Sequence, residues 1–363
     1  MAAAVHLREA NADTHQEWKS TLVVAPTEPL EPPRTRGTFK LAEEIRNRLP
    51  VPGTQVKAAL RYGMSLWGET CKIEALLPSG ERRNYLLKVL PDDIGEMMTK
   101  GEFESLKAMH AVSPGFVPEP HSQGSYIQDG HKHWFLLVEF RLVGEQPPDP
   151  ERFVEKFVEM HKKSVSPTGK FGFHATTFHG KVAQMTDQWG ESWSAVFQRH
   201  LGHMVTQDEE VNGYWPEFKI LCDITLGYVL PRLLEALQSD GRSIKPCLVH
   251  GDLWDENTAT DMRNGEPFAF DPGSMYAHNE YETGNWRAVR HRLSSARYVG
   301  RYQSLFKRSE PSEYYTNVPL AISAMYLTDK HVEEEWGSRN VLYSLRYNLG
   351  AAILFPGCAQ RKE

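Results

Sequence analysis

The stretch LVHGDLWDEN, residues 248–257, decides how this chain is read. An apolar pair runs into a loop that holds His250, Asp252 and Asn257 within eight residues. Phosphoryl transfer asks little covalent chemistry of a protein. It needs a carboxylate for the acceptor hydroxyl's proton, oxygen ligands for Mg²⁺ and a cation on the phosphates. Asp252 suits the first role, as catalytic base. Asn257 offers an amide oxygen, a hard ligand for Mg²⁺. His250 reads as a brace for the loop.

The missing parts lie elsewhere. PFAFDPGS (267–274) presents Asp271 at the end of an apolar run, 19 residues beyond Asp252, so a short hairpin brings the second metal ligand to the same site. In NYLLKVL (84–90), Lys88 interrupts an apolar strand, where an unpaired charge is costly. Glu102 in the following helix is its expected partner, with Glu104 as the competitor, and the ammonium would then face the phosphates. GMSLWGET (63–70), with Gly63 and Gly68, reads as a loop closing over those phosphates. His174 and His179 have no cysteine or carboxylate pattern around them that completes a zinc site, and read as structural. Trp189, Trp193 and Phe197 fall at helical spacing, as a packing stripe.

Composition narrows the field. The 363 residues are 40% hydrophobic and 24% charged, with a net charge of −6, which argues against a primary role on nucleic acid or an anionic membrane. The basic run RAVRHRLSSARYVGR (287–301) reads as the solvated face of a helix. Four cysteines, Cys71, Cys222, Cys247 and Cys358, form no CxxC pair. There is no signal-peptide pattern and no run of 18 apolar residues. The expectation is a soluble cytoplasmic protein.

Three parts follow from the pattern: a polar segment over 1–36, a small α+β lobe over 37–142 and a mainly helical lobe over 143–363. In the second part, 38–49 reads as a helix, 55–78 and NYLLKVL as strands of a hairpin, 94–112 as a helix and 133–143 as a strand. In the third, helices are expected over 151–163, 188–206, 218–238, 284–306, 313–328 and 338–355, with a strand–loop–strand over 246–272.

At these residues the chain resembles the fructosamine kinases, or ketosamine-3-kinases, of the aminoglycoside and choline kinase-like branch of the protein-kinase-like fold. LVHGDLWDEN is similar to that family's HGDLWxxN loop, and FDPGSMYAHNEYE (270–282) to its FDPxxxYxHxEYE segment. The resemblance covers about residues 40–357. It implies an α+β, two-lobed fold with a small β-rich N-lobe and a mainly helical C-lobe. It also implies ATP and Mg²⁺ as cofactors, Asp252 as base, and Asn257 with Asp271 on the metal. Lys88 with Glu102, Gly63, Gly68 and the hinge Glu139, Phe140 and Arg141 would bind ATP. Trp254, His278 and Glu282 would lie on the substrate side.

The implied reaction moves the γ-phosphoryl of ATP to the 3-hydroxyl of a ketosamine, either a small molecule or a glycated protein lysine, and so leads to deglycation. The implied enzyme is a monomer with no nucleic-acid or membrane partner. Two alternatives stay open: a kinase for another hydroxylated amine, and a nucleotide-binding pseudokinase. The chain departs from the family pattern at its glycine loop, at Asp255 and Glu256, where small residues are common, and over 307–340.

Overall fold

The computed structural model describes residues 37–63, 65–144, 146–312 and 335–358. The expected polar segment 1–36 and helix 313–328 lie outside the described residues, as does most of 307–340.

Five antiparallel strands make one sheet: β1 (Gln55–Arg61), β2 (Glu69–Leu76), β3 (Arg82–Pro91), β4 (Pro120–Gln128) and β5 (His131–Glu139), in the order β1-β2-β3-β5-β4. Alternation in β3 sends Tyr85, Leu87 and Val89 to one face, where they pack with Ile73, Phe135 and Leu137 against Leu41 and Ile45. Ile45 belongs to the short helix α1 (Glu43–Arg46), all that forms of the helix expected over 38–49. Leu86 and Lys88 point to the other face, beneath α2 (Asp92–Val112). β4 was not foreseen. As an edge strand reading PHSQGSYIQ it has only Tyr126 buried, so no apolar alternation marks it.

The helices follow from α3 (Pro150–Lys163). Asp149 caps it by accepting from the Arg152 amide at 3.1 Å, Pro150 occupies its first position, and Phe153, Val154, Phe157 and Val158 are buried. A small hairpin, β6 (Thr177–His179) with β7 (Val182–Gln184), comes next. α4 (Trp193–Asn212) starts at its Ser192 cap, later than expected, and leaves Trp189 outside the helix. The helix expected over 218–238 is broken into α5 (Pro216–Ile224), a π turn (Thr225–Val229), α6 (Leu230–Leu234) and a 3₁₀ turn. Pro231 has no N–H for an α-helical ladder, and the wider turn takes up the interruption.

Two short strand pairs then carry the loops of interest. β8 (Cys247–Val249) pairs with β11 (Met275–Ala277), and β9 (Thr258–Asp261) with β10 (Glu266–Ala269). The helix expected over 284–306 is replaced by 3₁₀ turns up to Ser294 and by α7 (Ala296–Leu305). Asp255 accepts from the backbone amides of Arg292 and Leu293 and holds that segment out of a helix. α8 (Glu335–Leu354) closes the described chain against the 3₁₀ segment Asn279–Arg287. No described helix is long and apolar enough to cross a membrane.

Candidate active site

A cleft opens between the sheet, α2 and the β9–β10 hairpin. Leu86, Val138, Phe268 and Phe270 line it with apolar surface, and Lys88, Glu102 and Asp271 stand together in it. Lys88 Nζ lies 2.5 Å from Glu102 Oε1 and also bonds Asp271 Oδ1. Burial would lower the Lys88 pKa, but the charges of Asp271 and Glu102 outweigh it and hold it above its ordinary value. Burial pushes the Asp271 carboxyl up, yet the Lys88 ammonium wins and keeps it well below the usual range. Glu104, the rival partner, bonds His174 Nε2 at 2.9 Å instead.

The hinge residues follow β5. Glu139 is the last ladder residue, opposite Tyr85. Phe140 is buried edge-on against Tyr62, with ring centres 5.1 Å apart. Arg141 donates to Glu139 Oε2 and to the carbonyls of Gly115 and Val117, so its guanidinium anchors the connection from beneath. Around the glycine loop, Gly63 takes φ +75°, and a Cβ on Gly68 would sit 2.2 Å from the Val89 carbonyl oxygen. The Trp67 and Gly68 amides both donate to Ser65 Oγ at 3.2 Å. Met64 lies outside the described residues.

The loop after β8 is built on interlocking backbone. Gly251 adopts φ +82°, and a Cβ there would meet the Gly273 carbonyl oxygen at 2.1 Å. The Gly273 amide donates to the His250 carbonyl at 3.0 Å, so the two acid-bearing loops are tied to each other. His250 Nε2 bonds the Phe270 carbonyl at 2.9 Å, while its Nδ1 accepts from the Asp252 amide at 3.3 Å. One donor and one acceptor make a neutral ring, and burial pushes its pKa down to about 4. Asn257 Nδ2 donates to the Asp252 carbonyl at 2.8 Å and to Asp252 Oδ2 at 3.2 Å. Asp252 Oδ1 is buried with no hydrogen-bond partner among the described residues. Burial raises the Asp252 carboxyl to about 7, against the lowering charge of Arg346.

The substrate-side residues separate. Trp254 is half-buried beside His291, with ring centres 5.5 Å apart. Glu282 is fully buried and accepts from the amides of His250 and Gly251, so it braces the loop from within rather than facing a ligand. His278 is likewise enclosed, bonded to Tyr343 Oη at 2.9 Å and Ser309 Oγ at 2.8 Å. Both positions correct the sequence expectation: the EYE segment folds under the 250–257 loop, where its polar groups satisfy backbone and hydroxyl partners. Asp255 is turned toward the Arg292 amide, which accounts for one of the extra negative charges in the loop.

Sequence reasoning read His179 as structural without placing it at Asp252, and passed over Arg346. His179 Nε2 stands 3.4 Å from Asp252 Oδ1, and Arg346 lies fully buried behind it. Only the isolated arginine in the apolar pattern of LYSLRYNLGAAIL signals the second of them.

A sheet carrying a paired lysine, set against a helical part whose loops carry the acids, defines the class: the α+β, two-lobed protein-kinase-like fold. The same fold is seen in a Thermobifida fusca protein provisionally assigned as a fructosamine-3-kinase, at TM-score 0.57 and 20% identity over 86% of this chain and 92% of that one. Residues 64–307, more than half of the chain, match the model of the fructosamine kinase family, and the chain belongs to that family. It is 31% identical over 242 residues to the chloroplastic protein-ribulosamine 3-kinase of Oryza sativa subsp. japonica, a match spanning 65% of each protein. It is 30% identical over 259 residues to the ketosamine-3-kinase of Mus musculus, covering 66% of this chain and 76% of that one.

Proposed function

We propose that this chain is a Mg²⁺- and ATP-dependent kinase that phosphorylates the 3-hydroxyl of ketosamines, on small amines or on glycated protein lysines. One observation carries the reading: a buried carboxylate oxygen, Asp252 Oδ1, that accepts no hydrogen bond among the described residues, on a loop tied by backbone bonds to the one bearing Asp271. In this reading 37–142 bind the nucleotide and 143–363 complete the acceptor site. The adenine lies between Leu86, Val138 and Phe270, against the Glu139–Arg141 hinge.

The donor set fits Mg²⁺. No cluster of three or more His, Cys, Asp or Glu suited to a metal occurs among the described residues. Mg²⁺ asks for less, since it commonly takes one or two protein oxygens and completes its shell with phosphates and water. Asp271 offers a carboxylate, and Asn257, whose nitrogen is spent on Asp252, offers its carbonyl oxygen. Held there, the ion would neutralise phosphate charge. Lys88, kept protonated by its two carboxylates, supplies a second positive charge to the phosphates.

Asp252 Oδ1 takes the proton of the acceptor hydroxyl as that oxygen bonds to the γ-phosphorus. The bond from that phosphorus to the bridging oxygen breaks, and its electron pair leaves on ADP. Trp254 at the rim offers a face to the sugar. All four cysteines are free thiols, the state kept by a reducing compartment such as the cytoplasm.

The test is ATP consumption with fructosyl-, ribulosyl- and erythrulosyl-lysine. Wild type is expected to turn over at least one, and Asp252→Asn to lose about 10²- to 10⁴-fold in kcat. Turnover on none of them, or unchanged turnover in the variant, overturns the reading.

A further inference from the structure

One residue outside that scheme touches the proposed base. His179 ends β6, and its Nε2 stands 3.4 Å from Asp252 Oδ1. From the other side Arg346 Nη1 approaches His179 Nδ1 at 3.4 Å. A guanidinium has donors only, so Nδ1 accepts and the ring proton sits on Nε2, toward the carboxylate. Burial, with the Arg346 charge, holds the His179 pKa well below its ordinary value, which keeps the ring in that neutral form.

The bracing is built in. Arg346 is fully buried in α8, bonds Gln184 Oε1, lies 3.4 Å from His200 Nε2 and stands over the Tyr347 ring at 4.5 Å. Gln184 in turn reaches the Gly273 carbonyl at 3.5 Å, which joins this cluster to the loop of Asp271. Gly350, one turn further along α8, leaves the space that the imidazole fills: a Cβ there would sit 2.2 Å from His179 Nδ1. Glycine is a poorer helix residue than alanine, and the ring packed against it is the reason an alanine does not fit.

We propose that His179, braced by Arg346 across the gap at Gly350, is a positioning residue for phosphoryl transfer that aims Asp252 Oδ1 at the acceptor hydroxyl. The inference rests on the kinase reading above. Asn257 holds Oδ2, and His179 flanks Oδ1, so rotation of the carboxylate is checked at both oxygens. At 3.4 Å the pair is close without meeting hydrogen-bond geometry, so the imidazole edge confines Oδ1 and leaves its capacity to take a proton.

The experiment is steady-state kinetics of the full chain on whichever ketosamine the wild type accepts. His179→Phe keeps a ring but no donor, and a loss in kcat on the order of 10²-fold is expected, with KM for ATP unchanged. His179→Gln returns an N–H near the position of Nε2 and is expected to recover most of that loss. Gly350→Ala should displace the ring and lower kcat in the wild type, yet cost nothing further in the His179→Phe background. A purely packing role predicts instead that Gln does no better than Phe. That result, or a His179→Phe kcat within twofold of wild type, overturns the inference while wild-type turnover leaves the kinase reading standing. A wild type inactive on every ketosamine removes the kinase reading, and this inference with it.

Discussion

At the scale of single residues the site depends on backbone conformations that few side chains permit. Gly251 sits at φ +82° with the Gly273 carbonyl where its Cβ would be, and Asp271 holds φ +58° to deliver its carboxylate. Both loops turn sharply because each must bring an acid into one small volume while satisfying the other's backbone. Gly251→Ala should therefore cost at least about 2 kcal/mol, from the strained φ and the displaced carbonyl together. Urea denaturation measures it, and an unchanged midpoint would show that the two loops are not locked as described. Lys88 makes a different point. It stood out in the sequence as a charge among apolar residues, and its partners are two carboxylates rather than the single one expected.

Among the elements, α8 is the one packed along the 3₁₀ segment Asn279–Arg287 beneath the 250–257 loop. Arg339 is fully buried and bonds Glu280 through Nε at 2.7 Å and Nη2 at 3.2 Å, while reaching the Ser309 and Pro311 carbonyls. This ion pair fastens α8 to the 3₁₀ segment that carries Glu282, and Glu282 in turn supports the loop of Asp252 through the His250 and Gly251 amides. Removing one partner leaves the other charged and buried. Arg339→Met is expected to destabilise by about 3–5 kcal/mol, and Glu280→Gln added to it to recover part of that. Equal stability of single variant and wild type in chemical denaturation would refute the role given to the pair. The same element scale explains the broken helices. Pro231 and the Asp255 bonds to Arg292 and Leu293 each interrupt a segment whose apolar spacing reads as continuous.

For the whole molecule, the main core runs from α2 through α3 and α4 to α8, and it encloses neutral histidines. His161 is the clearest, packed against Phe157, Tyr302 and Phe306 with Nδ1 3.1 Å from Tyr302 Oη. Burial, with the charge of Lys245, takes its pKa from 6.5 down to about 3. The folded value lies below the unfolded one, so the unfolded chain binds the extra proton. The stability this histidine contributes is present above pH 6.5 and is lost as pH falls toward 3. The loss is about 1.4 kcal/mol per unit, or about 2 kcal/mol between pH 6.5 and 5. In His161→Leu, where Asn279 still bonds Tyr302 Oη, the fall in stability over that range should be shallower by about that amount. Parallel pH profiles from denaturation of the two proteins would refute the assignment.

The acids, the amide and the lysine that the fold gathers in and beside the cleft were legible in the sequence because their letters are local. Asp252, Asn257 and His250 share one loop, Asp271 follows within one hairpin, and Lys88 and Glu102 are separated by a single strand–helix turn. Such spacings leave few geometries open, and the family resemblance follows from the same letters. What only the tertiary structure decided is what stands behind those residues. Glu282 supports the loop amides, His278 is absorbed into the core, and His179 meets Asp252 with Arg346 at its back. Those contacts join segments far apart in the chain, and a side chain's role there depends on which buried partner packing brings to it. Burial turns a polar residue from a surface group into a brace, and burial is a property of the assembled fold.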